Sequence, residues 1–269
     1  MTAVTADQIW RLLSAIRERR PLVHNITNFV VMNNSANALL ALGASPAMVH
    51  SSDEVEDFVA LSQALVVNIG TLYSEQIAAS KLAAIRAKAA GIPWVFDPVG
   101  AGATPYRQAA AVALARLGPS VIRGNGSEIL ILAQQARAGQ GRGVDSLHGS
   151  EAALDAARKL AEDSSAAIAI TGEVDYVTDG RRVVEIHNGH ALMTRVTGLG
   201  CSATAVIGAF LAVEPDALAA TVAALAVFGV AGELAAEQVR GPGSLQVELL
   251  DALYVLDAAT LTARARVTG

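Results

Sequence analysis

Two hydrophobic rhythms alternate along the chain. Ile9, Trp10, Leu12, Leu13 and Ile16 recur at the spacing of one helix face, which predicts an amphipathic helix over Asp7 to Glu18 that stops before Pro21. A second helical period runs from Phe29 to Leu42, and Gly43 is placed to end it as a C′ residue. Asn25, Thr27 and Asn28 cluster just before that stretch. One of them is expected to cap the helix, which leaves the other two side chains to contact a small polar ligand. Ser45 to His50 reads as a short strand containing Met48, whose soft thioether suits either core packing or a flat heteroaromatic ring.

Beyond the acidic segment Asp53 to Asp57 the rhythm changes. Short runs that are apolar throughout, Ala64 to Ile69, Pro93 to Phe96, Ser120 to Ile122 and Ala166 to Ile170, each end in polar residues or glycine. Unbroken apolar runs of this length predict strands buried on both faces of a parallel sheet. Helices fall between them, as at Ser74 to Ala90 and Ser150 to Asp163. This alternation implies an α/β fold, doubly wound, with a mostly parallel central sheet and helices on both faces. Val183 to Arg195 is polar and strand-like, and Ala203 to Val213 predicts a buried helix. Ala217 to Gly232 carries no charge, yet is shorter than the ~20 residues that cross a bilayer, so it too is expected to be a core helix.

Composition narrows the class. With 269 residues and no linker-like stretch, a single domain over residues 1–269 is expected. The chain is 52% hydrophobic, 17% charged and only 4% aromatic, so its core is built from small aliphatic side chains. A net charge of -5 without basic clusters argues against a general nucleic-acid or membrane surface. One cysteine excludes an internal disulfide and the cysteine-rich zinc patterns, and points to a reducing cytoplasm.

In a doubly wound sheet, ligands bind beyond the carboxyl ends of the strands. Asn68, Asp97, Arg123, Asn125, Glu128 and Thr171 all fall there. Asp97 and Glu128 can hold magnesium through water, the usual manner for a metal that also takes phosphate oxygens. Arg123 can clamp a phosphate, and the Thr171 hydroxyl can bond to one. Asp97 could equally bond loop amides, Arg123 could form a surface ion pair, and Thr171 could cap its turn. The loop Ala138 to Asp145 reads as a mobile connection. His187 and His190 lie in an Asn-Gly turn and read as solvated.

The most informative stretch is Thr197-Gly-Leu-Gly-Cys-Ser-Ala-Thr204, where a loop becomes a helix. Gly198 and Gly200 present bare backbone, and the first-turn N–H groups of the helix have no intrahelical partner, which makes an anion site. Cys201 stands in that turn, where the helix dipole would tend to lower a thiol pKa.

Val23-His-Asn-Ile-Thr-Asn28, Asp97-Pro-Val-Gly-Ala-Gly102, Arg123-Gly-Asn-Gly-Ser-Glu128, the turn at Thr171-Gly172 and the Thr197 to Thr204 segment occur in order. Together they resemble hydroxyethylthiazole kinase of the ribokinase-like superfamily, over nearly the whole chain. The resemblance implies transfer of the γ-phosphate of ATP to the primary alcohol of hydroxyethyl-methylthiazole, a salvage step towards thiamine, with magnesium and in a homotrimer. It implies that Met48 and Gly198 contact the thiazole, that Arg123 and Thr171 contact ATP, and that Asp97 and Glu128 serve the metal. Many ribokinase-like enzymes carry aspartate where this chain has Cys201. Two other readings share the fold: a sister kinase acting on a hydroxymethylpyrimidine or sugar alcohol, with a different acceptor pocket near Asn25 and Met48, and a catalytically silent binding protein.

Overall fold

The computed structural model of the chain describes residues 4–138 and 150–269. In chain order the strands are β1 (Leu22–Ile26), β2 (Ser45–Ala47), β3 (Ala64–Asn68), β4 (Trp94–Asp97), β5 (Val121–Asn125), β6 (Ala167–Thr171), β7 (Asp175–Thr178), β8 (Val183–Ile186) and β9 (Val267–Thr268). The helices are α1 (Ala6–Arg19), α2 (Met32–Leu42), α3 (Val55–Leu61), α4 (Ser74–Ala90), α5 (Pro105–Ala115), α6 (Gly126–Ala138), α7 (Ser150–Ser164), α8 (Leu199–Leu211), α9 (Ala217–Gln238), α10 (Pro242–Val255) and α11 (Ala258–Arg264).

The strands join in one sheet, ordered β2-β1-β3-β4-β5-β6-β7-β8-β9. Pairing is parallel from β2 to β6 and antiparallel from there to β9. The parallel strands β3, β4 and β6 are apolar on both faces up to their polar ends because helices cover both faces. Val23, Val66, Val95, Val121 and Ala169 pack into one core with α1, α2, α8 and α9. Ile26, Leu65, Val67, Phe96, Ile122 and Ile168 pack into the other, with α3 to α7. The two-residue alternation of a strand then fixes where polar ends point. Asn25, Asn68, Asp97, Arg123 and Thr171 stand an even number of residues after the first set, so all five face α8. Helix α8 lies close on the sheet at Gly208, where a β-carbon would come within 2.6 Å of Val66.

Helix α9 is the one helix among the described residues long and apolar enough to cross a membrane, and 83% of its apolar window is buried within the protein. It runs on past Gly232 to Gln238, 22 residues in all, so the length expected from the sequence is corrected and it is burial within the protein that makes it a core helix.

Several expectations need correction. The second helix begins at Met32, with Val31 at its N-cap and no side-chain cap bond. Asn25, expected among the capping residues, lies inside β1, and the Asn28 Oδ1 accepts the Val30 N–H at 3.1 Å in a turn ahead of the helix. The strand from Ser45 stops at Ala47, so Met48 follows it. Of Val183 to Arg195 only β8 is strand, and Ala191–Arg195 is a 3₁₀ turn that His190 caps through its Nδ1. The His190 ring is therefore engaged with backbone as well as partly solvated. The expected mobile loop lies outside the described residues from position 139 on.

Candidate active site

The carboxyl ends of β3, β4, β5 and β6 and the amino end of α8 meet in one polar cluster. Register brings Asn68 beside Asp97 across β3 and β4, and Asn125 beside Thr171 across β5 and β6. At the centre is Asp97, with no exposed surface. Its Oδ2 accepts hydrogen bonds from the Asn68 amide at 2.8 Å and the Thr204 hydroxyl at 2.7 Å, and Arg123 lies 3.8 Å away. Its Oδ1 is buried without a partner. Burial raises the Asp97 pKa to about 6, with Arg123 and the two hydrogen bonds acting against that rise and Glu128 adding to it.

The Asn28 amide donates to Asn68 Oδ1 at 2.8 Å and reaches Cys201 Sγ at 3.5 Å. Cys201, Asn28, Asn68, Asp97 and Thr204 thus form one connected chain. Thr204 follows Gly200 by one helical turn, so helical spacing turns its hydroxyl back toward the cluster. Neither Asn28 nor Thr204 stands out in the sequence for this role, although Thr204 closes the motif that carries Cys201.

The expected lowering of the thiol pKa does not occur. Burial and the neighbouring negative charge of Asp97 push Cys201 up to about 11, outweighing Arg123 and the two asparagine amides. A field from the helix end is too small to offset both.

Glu128 bonds loop amides, the role that Asp97 could have taken. Its Oε1 accepts Gly100 N–H at 2.8 Å and its Oε2 accepts Asn125 N–H at 2.9 Å. It therefore ties the loop after β4 to the start of α6. Arg123 is no surface ion pair. Its guanidinium bonds the Thr171 hydroxyl and lies over the bare backbone of Gly200, where a β-carbon would stand 2.7 Å from one terminal nitrogen. Gly198 is left-handed at φ +80, and a β-carbon there would come within 2.4 Å of Val31. The first intrahelical bond of α8 is Ser202 N–H to Gly198 C=O at 2.9 Å, which leaves the N–H groups of Leu199, Gly200 and Cys201 free of helix partners.

Beside Thr171 a cleft of about 500 Å³ runs between α6, β6 and β7, lined among others by Gly126, Ser127, Leu130, Thr171, Gly172 and Tyr176. Asp175 stands out by no sequence signal; it accepts the Gly172 N–H at 2.9 Å, feels the charge of Arg123, and has its pKa raised by burial to about 6. Arg107, also without a sequence signal, holds the loop ends after β3 and β4 by donating to the Ile69, Val99 and Gly70 carbonyls.

On the acceptor side, Asn25 is fully buried on the α8 face, with its amide bonded to Val23 C=O at 2.9 Å and its Oδ1 without a partner. Met48 follows the end of β2, and its carbonyl accepts from His50 Nδ1 at 3.2 Å. No direct bond joins Asn25 or Met48 to Asp97.

A sequence profile described as the hydroxyethylthiazole kinase family matches residues 13–259. The chain belongs to the hydroxyethylthiazole kinase family. It is 58% identical to the hydroxyethylthiazole kinase of Granulibacter bethesdensis over 95% of this chain and 92% of that one. With the enzyme of Syntrophus aciditrophicus the identity is 50%, over 99% and 98% of the two chains. The solved structure of the hydroxyethylthiazole kinase protein from Pyrococcus horikoshii OT3 superposes with a TM-score of 0.90 at 44% identity, covering 97% of this chain and 98% of that one. A pyridoxal kinase from Staphylococcus aureus, in complex with AMP-PCP and pyridoxal, superposes at 0.63 with 16% identity over 79% and 88% of the chains, a likeness of fold alone. The fold is thus ribokinase-like and the activity is that of a hydroxyethylthiazole kinase.

Proposed function

We propose that this site transfers the γ-phosphoryl group of ATP to the primary alcohol of hydroxyethyl-methylthiazole, using magnesium and the amino end of α8. The observation that carries the reading is the meeting of three features: partnerless N–H groups at Leu199 to Cys201, the Arg123 guanidinium over Gly200, and the orphaned Oδ1 of Asp97. Phosphoryl transfer needs alignment and charge neutralisation more than covalent chemistry, and these groups supply both.

The residues fit a magnesium ion. A buried carboxylate oxygen without a partner is a donor in search of a cation, and Glu128 is close enough for its charge to act on Asp97. Both Glu128 oxygens already hold amides, so its part in the site is through bound water. Among the described residues no group of three or more His, Cys, Asp or Glu gathers. Two carboxylates completed by phosphate oxygens and water are the usual donor set for this metal. When bound, it would neutralise charge on the phosphate oxygens. With a pKa of about 6, Asp97 is ionised at neutral pH and ready to hold a cation.

We place the nucleotide in the cleft beside Thr171, with Arg123 and Thr171 on its phosphates and the apolar Leu130 and Tyr176 near its base. The acceptor lies between Asn25, Met48 and Gly198, its hydroxyl toward Cys201. At a pKa of about 11 the thiol is ionised to only about one part in ten thousand at pH 7, so Cys201 contributes little as a base. Replacing Cys201 by alanine should lower kcat by less than about a hundredfold, measured at saturating substrates. Loss of all turnover in folded Cys201→Ala protein would contradict this.

A coupled assay of ADP release with ATP, magnesium and a panel of alcohols tests the reading. Turnover confined to the thiazole alcohol supports it, and turnover with a pyrimidine alcohol in its place overturns it. We also propose a homotrimer in the cytoplasm. Phe29 and Val30, 61% and 58% exposed beside the site, are large apolar side chains that a partner subunit would cover. Sedimentation equilibrium should give three times the chain mass, and a monomer would count against it.

A further inference from the structure

We propose that His50, which the phosphoryl-transfer machinery does not use, is a positioning residue that sets the acceptor pocket by locking two loop segments together through both ring nitrogens. The main-chain pairing of β1 with β2 ends at His24 and Ala47. Beyond that point imidazoles take over from the ladder. His24 Nε2 donates to Val49 C=O at 2.8 Å, and burial lowers its pKa to about 4, so this ring stays neutral. His50 reaches the other way. Its Nδ1 lies 3.2 Å from the Met48 carbonyl, to which it can only donate, and its Nε2 lies 3.0 Å from the Thr27 N–H and 3.1 Å from the Thr27 carbonyl. With the proton on Nδ1 the ring donates to Met48 C=O and accepts from Thr27 N–H, and the Thr27 carbonyl is left to the Gln76 amide.

The consequence runs to both walls of the acceptor site. Met48 forms one wall, and its backbone is held by Nδ1. Thr27 leads directly to Asn28, whose amide joins Asn68 to Cys201. The Thr27 carbonyl is fixed in turn by the Gln76 amide at 3.0 Å. With its N–H and C=O both held by side chains, the Thr27 peptide has little freedom, and His50 is the one ring that links it to Met48. Arg123, Thr171 and the cleft beside them lie at β5 and β6, separated from β1 by β3 and β4. Loss of His50 should therefore be felt by the alcohol and hardly by ATP.

The inference rests on Met48 as an acceptor contact, and the test separates the two. Initial rates of wild type, His50→Ala, His50→Gln, His50→Asn and Met48→Ala are measured against the thiazole alcohol and against ATP. Each lost hydrogen bond is worth a few-fold in binding, so His50→Ala should raise KM for the alcohol about tenfold and leave KM for ATP within about twofold. Glutamine can present an acceptor where Nε2 stood and should return the alcohol KM to within about threefold of wild type. Asparagine reaches only the Nδ1 position and should remain near the alanine value. Should the alanine variant fail to fold, the glutamine and asparagine variants carry the same comparison.

An alcohol KM unchanged in His50→Ala overturns the proposal. So does an equal rise in both KM values accompanied by a lower melting temperature, since a merely structural role would give that. If His50→Ala raises the alcohol KM and Met48→Ala does not, the positioning role stands and the placement of Met48 falls.

Discussion

Asp97→Asn is expected to abolish nearly all turnover, by about a thousandfold or more in kcat, while making the ligand-free protein more stable at pH 8. The first effect follows from losing the negative charge that, in the proposed site, would hold the cation against the phosphates. The second follows from burial. Asp97 has no exposed surface, one oxygen without a partner and a pKa raised to about 6. A carboxyl whose pKa rises on folding binds its proton more tightly in the native protein than in the unfolded chain, where the value is about 3.9. The native state is thus favoured most below pH 4, and that advantage is lost as pH rises through 6. Above pH 7 the ionised group costs on the order of 3 kcal/mol relative to the unfolded chain. A neutral amide of the same shape can still accept from Asn68 and Thr204 through its oxygen, so the variant escapes that cost. Scanning calorimetry at pH 8 should show a melting temperature higher by about 5 °C, with the gain shrinking toward pH 4. A variant equally active, or one that melts lower at pH 8, would contradict the assignment.

Gly200→Ala should lower kcat/KM about a hundredfold without harming the fold. The added methyl would stand 2.7 Å and 2.9 Å from the two terminal nitrogens of Arg123, the far end of a flexible side chain, so the guanidinium moves and the backbone does not. Alanine is the better helix former by about 1 kcal/mol, so thermal stability should hold or rise slightly. The loss is therefore the loss of Arg123 from the helix end. Arg123→Ala alone should raise KM for ATP far more than KM for the alcohol, and the double variant should be no worse than Arg123→Ala, because both act through one group. Additive losses, or equal effects of Arg123→Ala on both substrates, would show that Arg123 does not serve the nucleotide.

The parallel half of the sheet is legible in the chain because buried strands are unbroken apolar runs, and Ala64 to Ile69 or Ala166 to Ile170 admit few other readings. The same runs disclose the site, since their polar ends must lie at one edge of the sheet. Helix limits are sharp where glycine ends them, as at Gly43 and Gly91, whose N–H groups bond back into the last turn of α2 and α4. Legibility fails where polar and apolar positions mix. In β1, His24 and Asn25 are buried with their polar atoms turned to the protein interior, so the segment resembles a capping loop. The antiparallel strands β7 to β9 are short and half exposed, and carry little hydrophobic signal. At the site, spacing brings forward Asp97, Arg123 and Thr171, which do gather. It cannot show that Glu128 spends both oxygens on amides, or that Asn28 and Thr204 complete the chain to Cys201, because those are contacts between distant segments. The thiol is the clearest case. Its place at a helix start suggests a lowered pKa, and only three-dimensional burial beside Asp97 reverses the direction.

In the proposed reaction the amino end of α8 receives the migrating phosphoryl group. A crystal structure with ADP, aluminium fluoride, magnesium and the thiazole alcohol would show this, since the planar fluoride stands in for the group in transit. The fluorides should lie within hydrogen-bonding distance of the Leu199 to Cys201 N–H groups and of Arg123, with the metal on the side of Asp97. A fluoride bound elsewhere in the cleft, with those amides unengaged and Asp97 away from the metal, would contradict it.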